Sequence, residues 1–562
     1  MPIDPRRPAL SPLPAPSPHF LPAVLDALPY WALTSEQKEL RRSLAGLLLA
    51  QGPGRPDCAA AAKGLLAYAV QRDPFDRESL ALTAQTQAAA PFLPAKAAAV
   101  TGLLAALPNL ENDEVSYAAI AASGDRELLA RYLEISARDN AAGLARLAPA
   151  FHALCRLPDV EQAEALLRGF APIVPPPLFA RLEAEFAWLR RPPETALEKL
   201  LALDVETWGL FALVGASHCL ERLGDRPAAL AACQAVRRVL PQHVNLTLRA
   251  FELSRRRETP RPARAGEAAV CLYSMNKEAL FRECLTHLAG TDLGEAMVAV
   301  LDNGSTDGTG AMLETVAGLF PAGRFVIVRL PVNIGAPGAR NWLLSVPEAA
   351  ACKHVAFLDD DAFPERDWLS RLLATAREHP QAGAVGCAIT DCDPPRDHQS
   401  ADFNLFPPQM GRPSMAEAKE RLFVCEPCRG AADVGLFAYV RPCLSVSGCC
   451  HLLSRQAIQA AGPFDIRFNP TQFDDLERDI RSFLAGFPSV YDGTVRVRHK
   501  QGSSLALAQT PAQVSQVLGN KIKLEYCVSD ADADRLWRDN LALLGKDLKD
   551  KAAAVEALGA ED

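Results

Sequence analysis

The run HVAFLDDD, residues 354–361, joins a histidine and four apolar positions to three carboxylates, Asp359, Asp360 and Asp361. Bounded by Lys353 before it and Pro364 soon after it, the apolar part reads as a short buried strand. A strand that delivers three acids from its C-terminal end is hard to explain by folding alone. Like charges crowded there repel, and they are tolerated mainly where a cation neutralises them. Ligands of open α/β sheets bind outside the carboxyl ends of the strands. Such an end is suited to a divalent-metal site receiving a phosphorylated ligand. Taken alone, the triplet also reads as a solvated acidic turn, so its neighbours must decide.

Around this run the pattern alternates. Ala268–Tyr273, Met297–Leu301 and Phe325–Leu330 read as strands, and Lys277–Leu288 and Gly338–Leu344 as helices. Strand and helix alternating over about 120 residues predict a parallel sheet covered by helices. Residues 268–505 are therefore assigned to one α/β domain, and 506–562 to a helical extension. Residues 35–253 are rich in Ala and Leu at helical spacing and show no strand pattern. Within them Ala62, Leu66, Ala69 and Pro74 match the spacing of Ala229, Cys233, Val236 and Pro241. With Leu220 and the turn Gly224-Asp225, the later copy resembles a tetratricopeptide repeat over roughly one unit; an ordinary helical bundle fits as well. Residues 254–267, SRRRETPRPARAGE, cannot build a core and read as a solvated linker. Residues 1–34 are proline-rich and are expected to be a disordered tail.

A chain of 562 residues is too long for one core. Its hydrophobic content of 49% and charged content of 22% are those of a globular protein. The net charge of −8 gives no footprint for nucleic acid. No apolar stretch reaches the ~18 residues of a membrane span. Fifteen scattered cysteines predict reduced thiols in a cytoplasmic setting; peripheral attachment at the inner membrane surface is compatible with that.

Several loops around the strands carry chemistry. In LDNGSTDGTG (301–310), Asp302 can accept hydrogen bonds from a base or ribose, and Asn303 can donate and accept. In NIGAPGARN (333–341), glycines allow a backbone to approach a ligand, and Arg340 offers a fork suited to phosphate. Asp474, Asp475 and Glu477 open a late helix, where acids complement the dipole or serve as a general base. His499 follows the strand-like run 495–498 and precedes Gly502-Ser-Ser504.

In order and spacing these pieces resemble glycosyltransferase family 2, a family with the GT-A fold. The resemblance rests on the DNGSTDGT loop, the N-x-G-x-x-x-A-R-N segment and the strand ending in Asp-x-Asp. It continues through Ser447-Gly448, Gly462-Pro-Phe-Asp465, Asp474-Asp475, and His499 with Gly502 and Ser504. It covers about 268–504 and leaves the helical half aside. The fold implied is α + α/β: a helical, degenerate repeat-like N-terminal domain followed by a GT-A nucleotide-sugar-binding domain. The activity implied is an inverting, metal-dependent transfer of a sugar from a nucleoside-diphosphate sugar to an acceptor hydroxyl. Asp302, Asn303, Arg340, Asp359 and Asp360 would meet the donor. Asp361, Asp359 and His499 would hold Mn²⁺ or Mg²⁺, and Asp475 would be the base. The family often has a second acid where Asn303 stands, and Glu where Asp474 stands.

Outside that pattern, Cys387, Cys392, Cys425 and Cys428 form two close pairs that could hold a structural Zn²⁺. The acceptor class stays open between a glycan, a lipid-linked saccharide and a protein, and the helical half offers a surface for a protein partner. The alternatives are an interaction scaffold with a weakened transferase domain, or a nucleotidyltransferase. The latter is disfavoured by Ser274-Met-Asn-Lys-Glu278 where a glycine- and arginine-rich loop would stand.

Overall fold

The computed structural model describes residues 5, 10, 13–17, 19–51, 54–108, 111–406, 421–428, 430–500 and 510–558, with 111–116 as backbone only. A helical half leads into an α/β half, the class expected from the sequence.

Four strands, β1 (Ala268–Ser274), β2 (Met297–Asn303), β3 (Phe325–Leu330) and β4 (His354–Leu358), lie parallel in the order β4-β1-β2-β3. The inner ones, β1, β2 and β4, are apolar almost throughout because helices cover both faces of the sheet. Then come β5 (Ala362–Pro364), β6 (Ala384–Asp391), β7 (His398–Ser400), β8 (Asn404–Phe406) and β9 (Phe423–Cys425). The last three are β10 (Val440–Cys443), β11 (Cys450–Ser454) and β12 (Ser489–His499). The sheet continues from β4 through β11, β6 and β12 to β10, while β8 and β9 pair separately. The parallel sheet expected over about the first 120 residues of this half is present, and beyond it β11 runs antiparallel to both β4 and β6. The backbone N–H of Asp359 donates to the Cys449 carbonyl at 3.0 Å, so β11 begins where β4 stops and can only run back.

In the helical half, Asp76, Asp125, Asp159, Asp204 and Asp225 each accept a backbone N–H at a helix start, satisfying donors the helix leaves unpaired. Residues 20–33 of the expected disordered tail are ordered. Phe20–Ala27 is a helix, and Trp31, Ala32 and Leu33 are fully buried. Apolar residues 20–33 pack into the core in spite of the prolines before them. Trp31 Nε1 donates to the Gln242 carbonyl at 2.7 Å, and Arg441 of β10 donates to the Ala32 carbonyl at 2.9 Å. This segment therefore joins the two halves.

The linker is pinned rather than free. Arg257 pairs with the buried Asp492, Arg255 with Glu378 at 2.9 Å, and Arg261 with Glu267 at 2.8 Å. Arg255 and Arg257 thus answer carboxylates of the α/β half, while Arg261 closes a pair within the linker. The C-terminal helix Asp530–Leu558 lies against the helix Val244–Ser254 and β10, and buries Leu541, Leu544, Leu548 and Val555. One apolar core takes in residues of the helical half, one face of the sheet and this helix. Among the described residues no helix is long and apolar enough to cross a membrane.

Candidate active site

Parallel alignment of β1, β2 and β4 brings their C-terminal ends to one edge, and the start of β11 and the end of β12 meet them there. A cleft of about 1830 Å³ opens at this edge. Asn303, Arg340, Asp359, Asp360, Asp361, Asp475 and His499 all line it. The structure thus gathers residues spread over almost two hundred positions.

The three acids after β4 diverge. Asp360 turns under β1, accepting from Ser274 Oγ at 2.6 Å and pairing with Lys277 at 2.9 Å. Asp361 is buried and meets His499 Nε2 at 2.9 Å. That meeting follows from register, because β5 pairs antiparallel with β12 and sets His499 opposite Ala362. Asp359 faces the cleft, 3.7 Å from His499 Nε2 and 4.0 Å from Arg340. Burial lifts the Asp359 pKa to about 6; the two neighbouring acids add to this, while His499 and Arg340 oppose it. Burial works against a charge on His499, but its hydrogen bond to Asp361 and the charges of Asp359 and Asp361 outweigh that and raise its pKa. Gln399 accepts from Nδ1 at 2.8 Å, which aims Nε2 at the acids. Gln399 is an orienting partner that sequence reasoning missed, since β7 brings it there only through pairing with β6.

Arg340 lines the cleft with its guanidinium already engaged. Its guanidinium is buried between the rings of Tyr273, Phe357 and Phe464, donating to Asp474 at 2.7 Å and to the Gly448 carbonyl at 3.5 Å. It therefore stands between the acid end of β4 and the acids of the helix Asp474–Leu484. The chain enters that helix through Gln472 and Phe473, at φ of 84° and 67°. Left-handed backbone in non-glycine residues is strained and tends to be kept where function requires it. It leaves the two acids in different settings. Asp474 is buried against Arg340; burial first, then the neighbouring Asp475, raises its pKa. Asp475 is half-buried on the cleft, and its Oδ2 accepts the Gly448 N–H at 2.9 Å.

Two expectations change. Asp302 is absent from the cleft lining; it is buried and accepts the Ser305 N–H at 2.9 Å, holding its own loop. Asn303 does line the cleft and is fixed by Asn333 at 2.9 Å and the Ile334 N–H at 3.0 Å. The four cysteines proposed for zinc do not converge. Cys387 sits in the core under one face of the sheet, while Cys425 and Cys428 sit in the core shared with the helical half. Cys392 is half-buried beyond β6. Among the described residues, the group of three or more metal-capable side chains is Asp359, Cys449 and His499, whose ligand atoms lie within 4.8 Å of one another. That donor set fits a divalent ion. Gly502 and Ser504 lie outside the described residues.

The far wall of the cleft comes from the helical half and includes Glu36, Arg72, Asp73, His152 and Arg156. No motif announced these residues. They reach the cleft because the two halves share a core.

Residues 269–434, within the α/β half, match the family model of Glycosyl transferase family 2. No curated protein matches the chain. Among solved structures, it is similar to the mannosyltransferase PcManGT from Pyrobaculum calidifontis in complex with GDP-Man and Mn²⁺. That match has 17% identity and a TM-score of 0.34, covering 62% of this chain and 86% of the other. GalNAc-T7 with UDP, GalNAc and Mn²⁺ is similar at 12% identity and a TM-score of 0.35, over 48% of this chain and 49% of its own. Residues 1–349 of S. aureus TarS in complex with UDP-GlcNAc are similar at 17% identity and a TM-score of 0.32, over 49% and 71%.

Proposed function

We propose that the family 2 domain, extended to His499, transfers a sugar from a nucleoside-diphosphate sugar to an acceptor hydroxyl, with inversion at the anomeric carbon and dependence on a divalent cation. The observation that carries this reading is the single buried guanidinium of Arg340. It separates two sets of acids that open onto one cleft. On one side, Asp359, Asp361 and His499 supply oxygen and nitrogen donors. A cation held there would neutralise the donor diphosphate and stabilise it as a leaving group. On the other side, Asp475 is the acid with access to an incoming hydroxyl. Its carboxylate keeps lone pairs beyond those that accept the Gly448 and Leu476 N–H groups, so it can take the acceptor proton. Asp474 is closed off by Arg340 and would act by holding that guanidinium in place.

Asn303 suits recognition of base or ribose, and Asp302 would shape the loop that presents it. Attack from the Asp475 side, opposite the diphosphate, is displacement with inversion. The acceptor would enter between the halves, along the wall supplied by Arg72, His152 and Arg156.

Calorimetry of the full chain with UDP and with GDP, with and without Mn²⁺, tests the donor site. Binding of one nucleotide that requires Mn²⁺ and disappears in Asp361→Ala is expected. Cation-independent binding would sink the metal assignment. A panel of nucleotide-sugars, none of them hydrolysed or transferred in the presence of Mn²⁺, would sink the transfer reading.

A further inference from the structure

We infer that Cys449 is a sulfur ligand of the cation site, and that this site favours a thiophilic divalent ion such as Co²⁺ or Zn²⁺ over Mg²⁺. The inference rests on the proposed cation site and concerns which ion it takes. Three strand ends build the cluster: Asp359 after β4, Cys449 before β11 and His499 closing β12. The 3.0 Å bond from the Asp359 N–H to the Cys449 carbonyl ties the first two backbones together. One carboxylate oxygen, the Cys449 Sγ and one imidazole nitrogen lie within 4.8 Å of one another. Ligand bonds of ~2.0–2.3 Å place tetrahedral donors roughly 3.5 Å apart, so an ion bound here would draw the three atoms together.

The thiol is well placed for this. Cys449 is only 5% exposed, yet it lines the cleft. Other buried thiols here are engaged: Cys284 and Cys443 donate to carbonyls at 3.3 Å. Among the described residues the Cys449 thiol makes no such bond, while its neighbour Cys450 is packed beside Cys387. An all-oxygen set selects hard ions, and a mixed oxygen, nitrogen and sulfur set shifts preference toward Co²⁺ and Zn²⁺. On coordination the thiol releases its proton to solvent, so ion uptake is accompanied by proton release.

The test uses the full-length protein and Co²⁺ as the probe ion, read by absorption rather than activity. Wild type should show a thiolate-to-cobalt charge-transfer band in the near ultraviolet. Cys449→Ser should lose that band and bind Co²⁺ at least about tenfold more weakly, with Mg²⁺ affinity little changed. If wild type binds Co²⁺ without the band, and Asp361→Ala abolishes that binding, the cation site stands and the role of Cys449 is refuted. A band that persists in Cys449→Ser also refutes it, by showing that another of the fifteen thiols holds the metal. If wild type binds no Co²⁺, both the inference and the cation reading fail.

Discussion

Replacing Gly448 with alanine should disable the base while sparing the donor. A Cβ at this position would lie 2.6 Å from Asp475 Oδ2 and 2.9 Å from an Arg340 terminal nitrogen. Arg340 cannot yield easily, because Asp474 and three aromatic rings hold it. Asp475 must therefore retreat by about 0.8 Å to reach ordinary contact, breaking its 2.9 Å bond from the Gly448 N–H. A misplacement near 1 Å costs roughly 10²-fold in rate, or about 2.7 kcal/mol of barrier. The lost charge-assisted bond costs about 2 kcal/mol of stability, which a chain with so large a shared core should survive. The assay is turnover at saturating nucleotide-sugar, set beside calorimetric affinity for the nucleoside diphosphate. Turnover should fall about a hundredfold with affinity unchanged. Turnover within about threefold of wild type would mean that the position of Asp475 does not matter and that the base lies elsewhere. Loss of both quantities would mean a general collapse of the site rather than a displaced base.

Asp475→Asn should lower turnover by ~10²–10⁴ without weakening donor binding. Asp474→Asn should mainly lower thermal stability, so a larger catalytic effect from Asp474 would reverse their roles. The buried His218 accepts the Trp188 indole N–H at 3.0 Å, and burial pushes its pKa down to about 4. Because the unfolded value is ~6.5, the unfolded chain takes up protons first. Stability is therefore full above pH ~6.5 and falls by about 3 kcal/mol as pH drops toward 4. Denaturant midpoints between pH 7 and 4.5 should fall more steeply in wild type than in His218→Gln; parallel curves would refute this. Arg257→Ala should strand the carboxylate of Asp492 with only hydroxyl and backbone donors, lowering stability by roughly 3 kcal/mol. An unchanged unfolding midpoint would restore the linker to a plain hinge.

Much of the α/β half was legible because its signals are local. Apolar runs of strand length, helical spacing and glycine-bearing loops repeat along the chain, and the acids after β4 mark the ligand edge. From these alone follow the four parallel strands, the helical N-terminal half and the acids after β4; the roles expected of Asp359, Asp361, Asp475 and His499 came from the resemblance to glycosyltransferase family 2. What the sequence could not express is which neighbour each charge meets. Asp302, Asp360 and Arg340 have the right chemistry for a donor nucleotide. In three dimensions Asp302 answers Ser305 of its own loop, while Asp360 and Arg340 line the cleft with Lys277 and Asp474 as partners, contacts set by packing across separate elements. Cys449 reads as one cysteine among many until β11 runs antiparallel to β4 and brings its thiol beside Asp359 and His499. The prolines near the N-terminus suggested disorder, but Trp31 and its neighbours gain enough by burial between the two halves to hold residues 20–33 in place. Periodicity and charge along the chain determined the elements and the edge where the chemistry lies. Strand register and the shared core decided the partners, because hydrogen bonds and ion pairs depend on separation in space and not along the sequence.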